Sequence, residues 1–130
     1  ARLGSSIGIS VAKEENELEA AINLARSHDE KILIEPFVTG REIECSILGN
    51  DNPIASPPGE IIVLKNDWYD YTAKYSKNGM RLVAPAEIDE AISDRVRLLS
   101  IKAFQACDCA GMARVDFFVE KDGEIKDGEI

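Results

Sequence analysis

Four short stretches of this 130-residue chain gather side chains that handle charge. In LGSSIG, residues 3–8, Gly4 and Gly8 allow unusual backbone angles, and peptide N–H groups with the hydroxyls of Ser5 and Ser6 could wrap a phosphate. Such glycine-serine loops are more often plain connectors. In EPFVTGRE, residues 35–42, Glu35 and Glu42 bracket a chain turn, where two carboxylates could accept hydrogen bonds from an amino group and a ribose; solvated acids at strand ends are the commoner arrangement. GMARVDFF, residues 111–118, alternates Arg114 and Asp116 with Val115 and Phe117. A strand puts 114 and 116 on one face, so a cation and an anion project together toward whatever that face meets; a structural ion pair is the plain alternative. YDYTAKY, residues 69–75, holds all three tyrosines of the chain together with Asp70 and Lys74. It reads either as a binding loop or as an aromatic patch packed on the core.

The elements that must position these groups follow from periodicity. Residues 14–27 place Leu18, Ala21, Ile22 and Ala25 at helical spacing, with Glu14, Glu15 and Glu17 in a first turn whose dipole favours negative charge. KILIEPF at 31–37, EIECSILG at 42–49, PGEIIVL at 58–64 and MRLVAP at 80–85 read as strands, and the tyrosine stretch lies in the loop between the last two. From 87 to 107, Ile88, Ala91, Ile92, Val96, Leu99, Ala103 and Phe104 form one apolar stripe and predict a long second helix. GMARVDFFVE at 111–120 is a strand running into an Asp-Gly turn. KDGEI is written twice, at 121–125 and 126–130, and the second Asp-Gly leaves no room for a strand between the two, so one copy is expected as a turn and the other as a frayed tail. Both ends of the chain look cut. The order predicts an α+β fold with a mostly antiparallel sheet.

Composition narrows the function. With 45% apolar residues the chain can build a core, while a net charge of −9 argues against gripping nucleic acid phosphates or an anionic membrane. No apolar run reaches the roughly 18 residues of a membrane span, and ARLGSSIGIS lacks the pattern of a signal peptide, so cytoplasm is the default compartment. Cys45, Cys107 and Cys109 make an odd set without an even disulfide framework. Their spacing from His28, the single histidine, does not suit zinc, so Cys107 and Cys109 read as small residues near a helix end.

Taken in order and spacing, these stretches resemble the ATP-grasp portion of D-alanine:D-alanine ligases, which make the dipeptide of bacterial peptidoglycan. The resemblance covers nearly the whole chain: GSSIGIS, ILIEPFVTGREIECSILGN, PPGEI, YDYTAKY and CAGMARVDFFVEKDGEI stand in the family's order. It implies an incomplete ATP-grasp fold of α+β class with two helices packed on the sheet. Residues 1–42 would belong to the small ATP-grasp subdomain and 43–130 to the large carboxy-terminal one. It also implies ATP and Mg2+ or Mn2+ as cofactors, D-alanine as substrate, a cytoplasmic enzyme, and a homodimer when complete. Another ATP-grasp carboxylate-amine ligase, or a non-catalytic nucleotide-binding domain, is the alternative.

The resemblance assigns roles residue by residue. Gly4, Ser5 and Ser6 close over the transferring phosphate, and Ser5 links to a tyrosine of the mobile loop. Glu35 meets the adenine amino group, the backbone near Val38 the ring, and Glu42 the ribose hydroxyls. Lys74 lies against the γ-phosphate as a compact charge, and Arg114 holds the substrate oxygen that becomes an oxyanion. Asp116 ligates magnesium, and Glu129 falls at the position of a further metal ligand. Tyr75 accompanies D-alanine, rather than D-lactate, as second substrate, and YDYTAKY shuts over the site to exclude water from an acyl phosphate.

Three departures qualify this. Thr72 stands where the family usually has glutamate, Glu129 lacks the apolar neighbours and the asparagine of the family's Glu-x-Asn pattern, and neither the family's amino-terminal domain nor a lysine before Ala1 is present. The expectation is that the chain alone does not catalyse the full reaction.

Overall fold

A computed structural model of the chain describes residues 6–64 and 80–129. It divides into two compact units: residues up to Phe37 with the segment that starts at Val63, and Val38–Ile62 with the residues from Met80 onward.

In the first unit, helix α1 (Glu15–Arg26) begins with a capping box in which Glu14 and Glu17 exchange backbone and side-chain contacts, and the Glu17 carboxylate also accepts from the Lys13 N–H at 2.7 Å. The first turn carries Glu15 and Glu17 and the last carries Arg26, matching the macrodipole at both ends. Ahead of the helix, Gly8 takes φ +77° and packs against the His28 ring so closely that a Cβ would lie 2.6 Å from Cδ2. KILIEPF is not a strand. Pro36 has no N–H to give to a ladder and no described strand pairs with the run, so Leu33, Ile34 and Phe37 remain exposed.

The second unit is a sheet backed by a helix. Its strands are β1 (Arg41–Gly49), β2 (Ile54–Ala55), β3 (Gly59–Val63), β4 (Met80–Val83), β5 (Gly111–Val119) and β6 (Ile125–Glu129), in the order β4-β3-β1-β5-β6, with β2 paired to β1. The pairings of β1 with β2, β3 and β5, and of β5 with β6, are antiparallel, as the α+β reading expects. Alternation sends Ile43, Cys45 and Ile47 of β1 and Val115, Phe117 and Val119 of β5 to one face, where all six are buried. Helix α2 (Glu90–Ala106) covers that face with Val96, Ser100 and Phe104. Ser100 is tolerated there because its hydroxyl donates to the Val96 carbonyl at 2.8 Å.

The ends of α2 have local causes. The helix starts at Glu90 rather than at 87, because the Glu87 carbonyl accepts from Arg41 Nη2 at 2.9 Å and the Ala86 N–H donates to the Pro58 carbonyl at 2.7 Å. Arg41 also forks onto Glu60, with two bonds of 2.7 Å, and so braces the approach to α2 against β1 and β3. This guanidinium holds the Glu60 carboxyl below its ordinary value, against the opposing effect of burial. At the other end Asp108 takes φ 52°, its N–H donating to Gln105 and that of Cys109 to Phe104 at 3.0 Å, which is a Schellman closure. Cys107 and Cys109 flank this turn as small residues, and both are free thiols.

The hairpin after β5 turns at Asp122-Gly123, with Gly123 at φ +84°. The second KDGEI is not a frayed tail, because most of it belongs to β6. The register shifts there: Phe117 pairs with Asp127 while Asp116 pairs with Glu129, leaving Gly128 as the extra residue. A Cβ on Gly128 would stand 2.9 Å from the Asp116 carbonyl oxygen, so glycine is what lets a strand form where the second Asp-Gly argued against one.

Candidate active site on the open sheet face

The residues that β1 and β5 do not spend on the core share the opposite face. Cross-strand register sets Glu42 opposite Phe118, Glu44 opposite Asp116, and Ser46 opposite Arg114. The strand alternation read from the sequence therefore brings Arg114 and Asp116 together as expected. Arg114 Nε donates to Asp116 Oδ1 at 2.8 Å and Nη2 to Oδ2 at 2.6 Å. Arg114 Nη1 lies 3.3 Å from Glu44 Oε2, so one guanidinium faces two carboxylates. The Arg114 side chain is 52% exposed, against 21% for Glu44 and 26% for Asp116, so the cation stands outermost with its anions beneath it.

Glu44 was not among the residues singled out from the sequence. Its signal was present: it stands two residues after Glu42 in an alternating strand and so must share its face. On its other side lies Gly59 of β3, where a Cβ would come within 3.2 Å of Glu44 Oε1, so the absence of a side chain there makes room for the carboxylate.

The remaining expected residues are placed as follows. Glu35 is exposed in the irregular stretch before Pro36, in the first unit, while Val38 is half-buried and Glu42 half-buried on β1, in the second. Ser6 takes φ 60°, a left-handed conformation next to Gly8, consistent with a tight loop. Gly4, Ser5, Thr72, Lys74 and Tyr75 lie outside the described residues.

A hard cation fits the donor set on this face. Asp116 offers carboxylate oxygens at the surface, each with lone pairs beyond those Arg114 engages, and the Glu129 backbone pairs directly with that of Asp116. A second acidic group, Glu120, Asp122 and Glu124, brings carboxylate oxygens within 4.8 Å of one another at the hairpin turn. There Lys126 already pairs with Glu124 at 2.6 Å. No helix among the described residues is long and apolar enough to cross a membrane.

An antiparallel sheet backed by one long helix, with an arginine and carboxylates on its open face, is the architecture of an ATP-grasp ligase domain. The whole chain, residues 1–130, matches the family model described as "D-ala D-ala ligase C-terminus", and it belongs to that family. It is 49% identical over 128 residues to a D-alanine–D-alanine ligase of Acetivibrio thermocellus, covering 98% of this chain and 34% of that protein. It is 50% identical over 130 residues to the corresponding ligase of Halothermothrix orenii, covering 100% of this chain and 38% of the relative. The chain thus spans little more than a third of the curated relatives it matches. Among solved structures, VanG D-Ala:D-Ser ligase from Enterococcus faecalis superposes with a TM-score of 0.84 at 36% identity, over 97% of this chain and 36% of that one. The D-alanine-D-alanine ligase from Coxiella burnetii gives 0.81 at 32% identity, over 98% and 32%.

Proposed function

We propose that this chain is part of an ATP-dependent D-alanine:D-alanine ligase, and that residues 1–42 and 43–130 contribute to its small and large ATP-grasp subdomains. The observation that carries the proposal is the pairing of Arg114 with Asp116 on a face otherwise free of the core. A pure nucleotide-binding module has no use for a guanidinium aimed at a developing oxyanion.

In this reading ATP supplies the phosphoryl group that activates a D-alanine carboxylate, and Mg2+ or Mn2+ supplies neutralising charge. The protein positions and stabilises. Asp116 holds the cation with Glu129 as its second carboxylate, Glu35 and Val38 meet the adenine, and Glu42 takes the ribose hydroxyls. Gly4, Ser5 and Ser6 wrap the moving phosphate and Lys74 lies against it. Arg114 draws negative charge onto the acyl oxygen as the amine of a second D-alanine attacks and phosphate leaves. Tyr75 favours that amine over the hydroxyl of D-lactate. The dipeptide would serve peptidoglycan synthesis, and so cell shape, in the cytoplasm, with the complete enzyme acting as a homodimer.

The likeness to a D-Ala:D-Ser ligase gives a second reading, in which D-serine is the acceptor. Phosphate release by the complete polypeptide, supplied with ATP, magnesium and D-alanine and then challenged with D-serine or D-lactate, separates these. Release that depends on D-alanine and yields only D-alanyl-D-alanine supports the first reading. A mixed dipeptide as main product supports the second, and no release with any of the three overturns both.

A further inference from the structure

Past Ser46 and Arg114 the open face of the sheet turns apolar. Leu48 of β1 pairs with Met112 of β5 on one side and with Ile54 of β2 on the other, so the three side chains stand abreast across neighbouring strands. Leu48 is 58% exposed, Ile54 66% and Met112 77%. The row is not overflow from the core, because the residues that alternate with it already serve there: Ile47 is buried, and Ala55 and Ala113 pack against the same cluster. Nor does it continue its own face, where the preceding positions Glu44, Ser46, Arg114 and Asp116 are polar. Three adjacent apolar side chains at the end of a polar site face mark a surface that something covers.

Size and charge narrow the occupant. Two separate chains are held together by roughly 20–30 residues a side, far more than this row offers. A second copy would also bring its own net charge of −9 against the first. A segment of the same polypeptide needs no such area, since its tether keeps it at an effective concentration in the millimolar range. Length allows for one: the chain covers 34% and 38% of two curated relatives, and the family model it matches throughout is that of a C-terminal part.

We propose, resting on the ligase reading, that the row Ile54–Leu48–Met112 is the seat of the polypeptide that precedes residue 1 in the complete ligase. That segment lays apolar side chains on the row and closes the site face at the end away from Glu42.

The test needs no substitution, because Met112 is itself a probe. The complete polypeptide is treated with hydrogen peroxide, without nucleotide, and sulfoxide formation at Met112 is followed by mass spectrometry in buffer and in urea. A covered Met112 is expected to oxidise about tenfold more slowly in buffer; a rate within about threefold of the unfolded one overturns the proposal. The occupant is identified in protein grown on photo-methionine, which is close to methionine in size and cross-links from position 112 on illumination. Links to residues ahead of residue 1, in a product of single-chain mass, are the expected result. Links to a second copy, to residues within 1–130 or to residues after Ile130, or no protein link at all, overturn it. Dipeptide formation by a protein whose Met112 oxidises as in urea sinks this proposal alone. A protected, correctly linked Met112 in a protein that forms no dipeptide sinks the ligase reading alone.

Discussion

Arg114 and Asp116 meet as a two-pronged pair, Nε to Oδ1 at 2.8 Å and Nη2 to Oδ2 at 2.6 Å, with a single residue between them on one strand. The guanidinium is half-exposed, so the pair adds little to stability. Its consequence is directional, because a planar fork bonded through two donors has its plane set by the strand that carries both residues.

That argues for a kinetic effect larger than any effect on binding. If the proposed ligase function and the oxyanion role of Arg114 hold, Arg114→Met in the complete protein lowers kcat by about 10²–10³-fold, the usual cost of losing one oxyanion donor, with the KM for ATP changed by less than about threefold. Steady-state phosphate release measures both. Parallel losses in kcat and ATP affinity would count against the oxyanion role.

The brace between Arg41 and Glu60 should show in the acid limb of stability. The Glu60 carboxyl is held below its ordinary value of 4.5 chiefly by its hydrogen bonds to Arg41. A depressed carboxyl contributes stability that is complete above its unfolded value and is lost as pH falls through the folded one. Glu60→Gln should therefore cost about 1–2 kcal/mol at pH 7, kept low because Arg41 is 42% exposed, and the gap to wild type should shrink below pH 4.5. Urea unfolding at pH 7 and pH 3.5 checks it; a gap that widens in acid contradicts the assignment.

Gly128 makes a steric prediction. Gly128→Ala places a methyl 2.9 Å from the Asp116 carbonyl oxygen, so β6 must move away from β5. We expect a loss of about 1–3 kcal/mol, with faster amide exchange at the β5–β6 pairing than elsewhere in the sheet. Unchanged exchange at those amides would show that the bulge is not held by this contact.

Asp108 offers the opposite sign. It is an exposed, non-glycine residue at φ 52° in the Schellman turn after α2, so Asp108→Gly should relieve strain and raise stability by about 0.4–1 kcal/mol. Thermal melting is sufficient, and a lower melting temperature would be the failing result.

The sequence revealed elements whose signal is local. The stripe from Ile88 to Phe104 needs only its own period to be read, and the alternation of Arg114 and Asp116 with Val115 and Phe117 already places both charges on one face. What escaped depends on residues far apart in the chain. KILIEPF has strand composition but no described strand beside it. β6 requires a close approach of Gly128 to Asp116 that no local pattern announces. Glu60 looks like any strand acid until register brings it to Arg41, 19 positions earlier. Glu44 differs from these, since parity with Glu42 was enough to find it.

In β1 and β5 the odd-numbered residues build the core and the even-numbered ones line the candidate site. Inserting or deleting one residue in either strand would exchange the two sets, driving Glu44, Arg114 and Asp116 toward α2 and turning Ile43, Val115 and Phe117 outward. Changes of length are thus tolerable here only in pairs, or where a surplus residue can be absorbed without changing phase. Gly128 occupies such a place, marking where this sheet has room for an odd count.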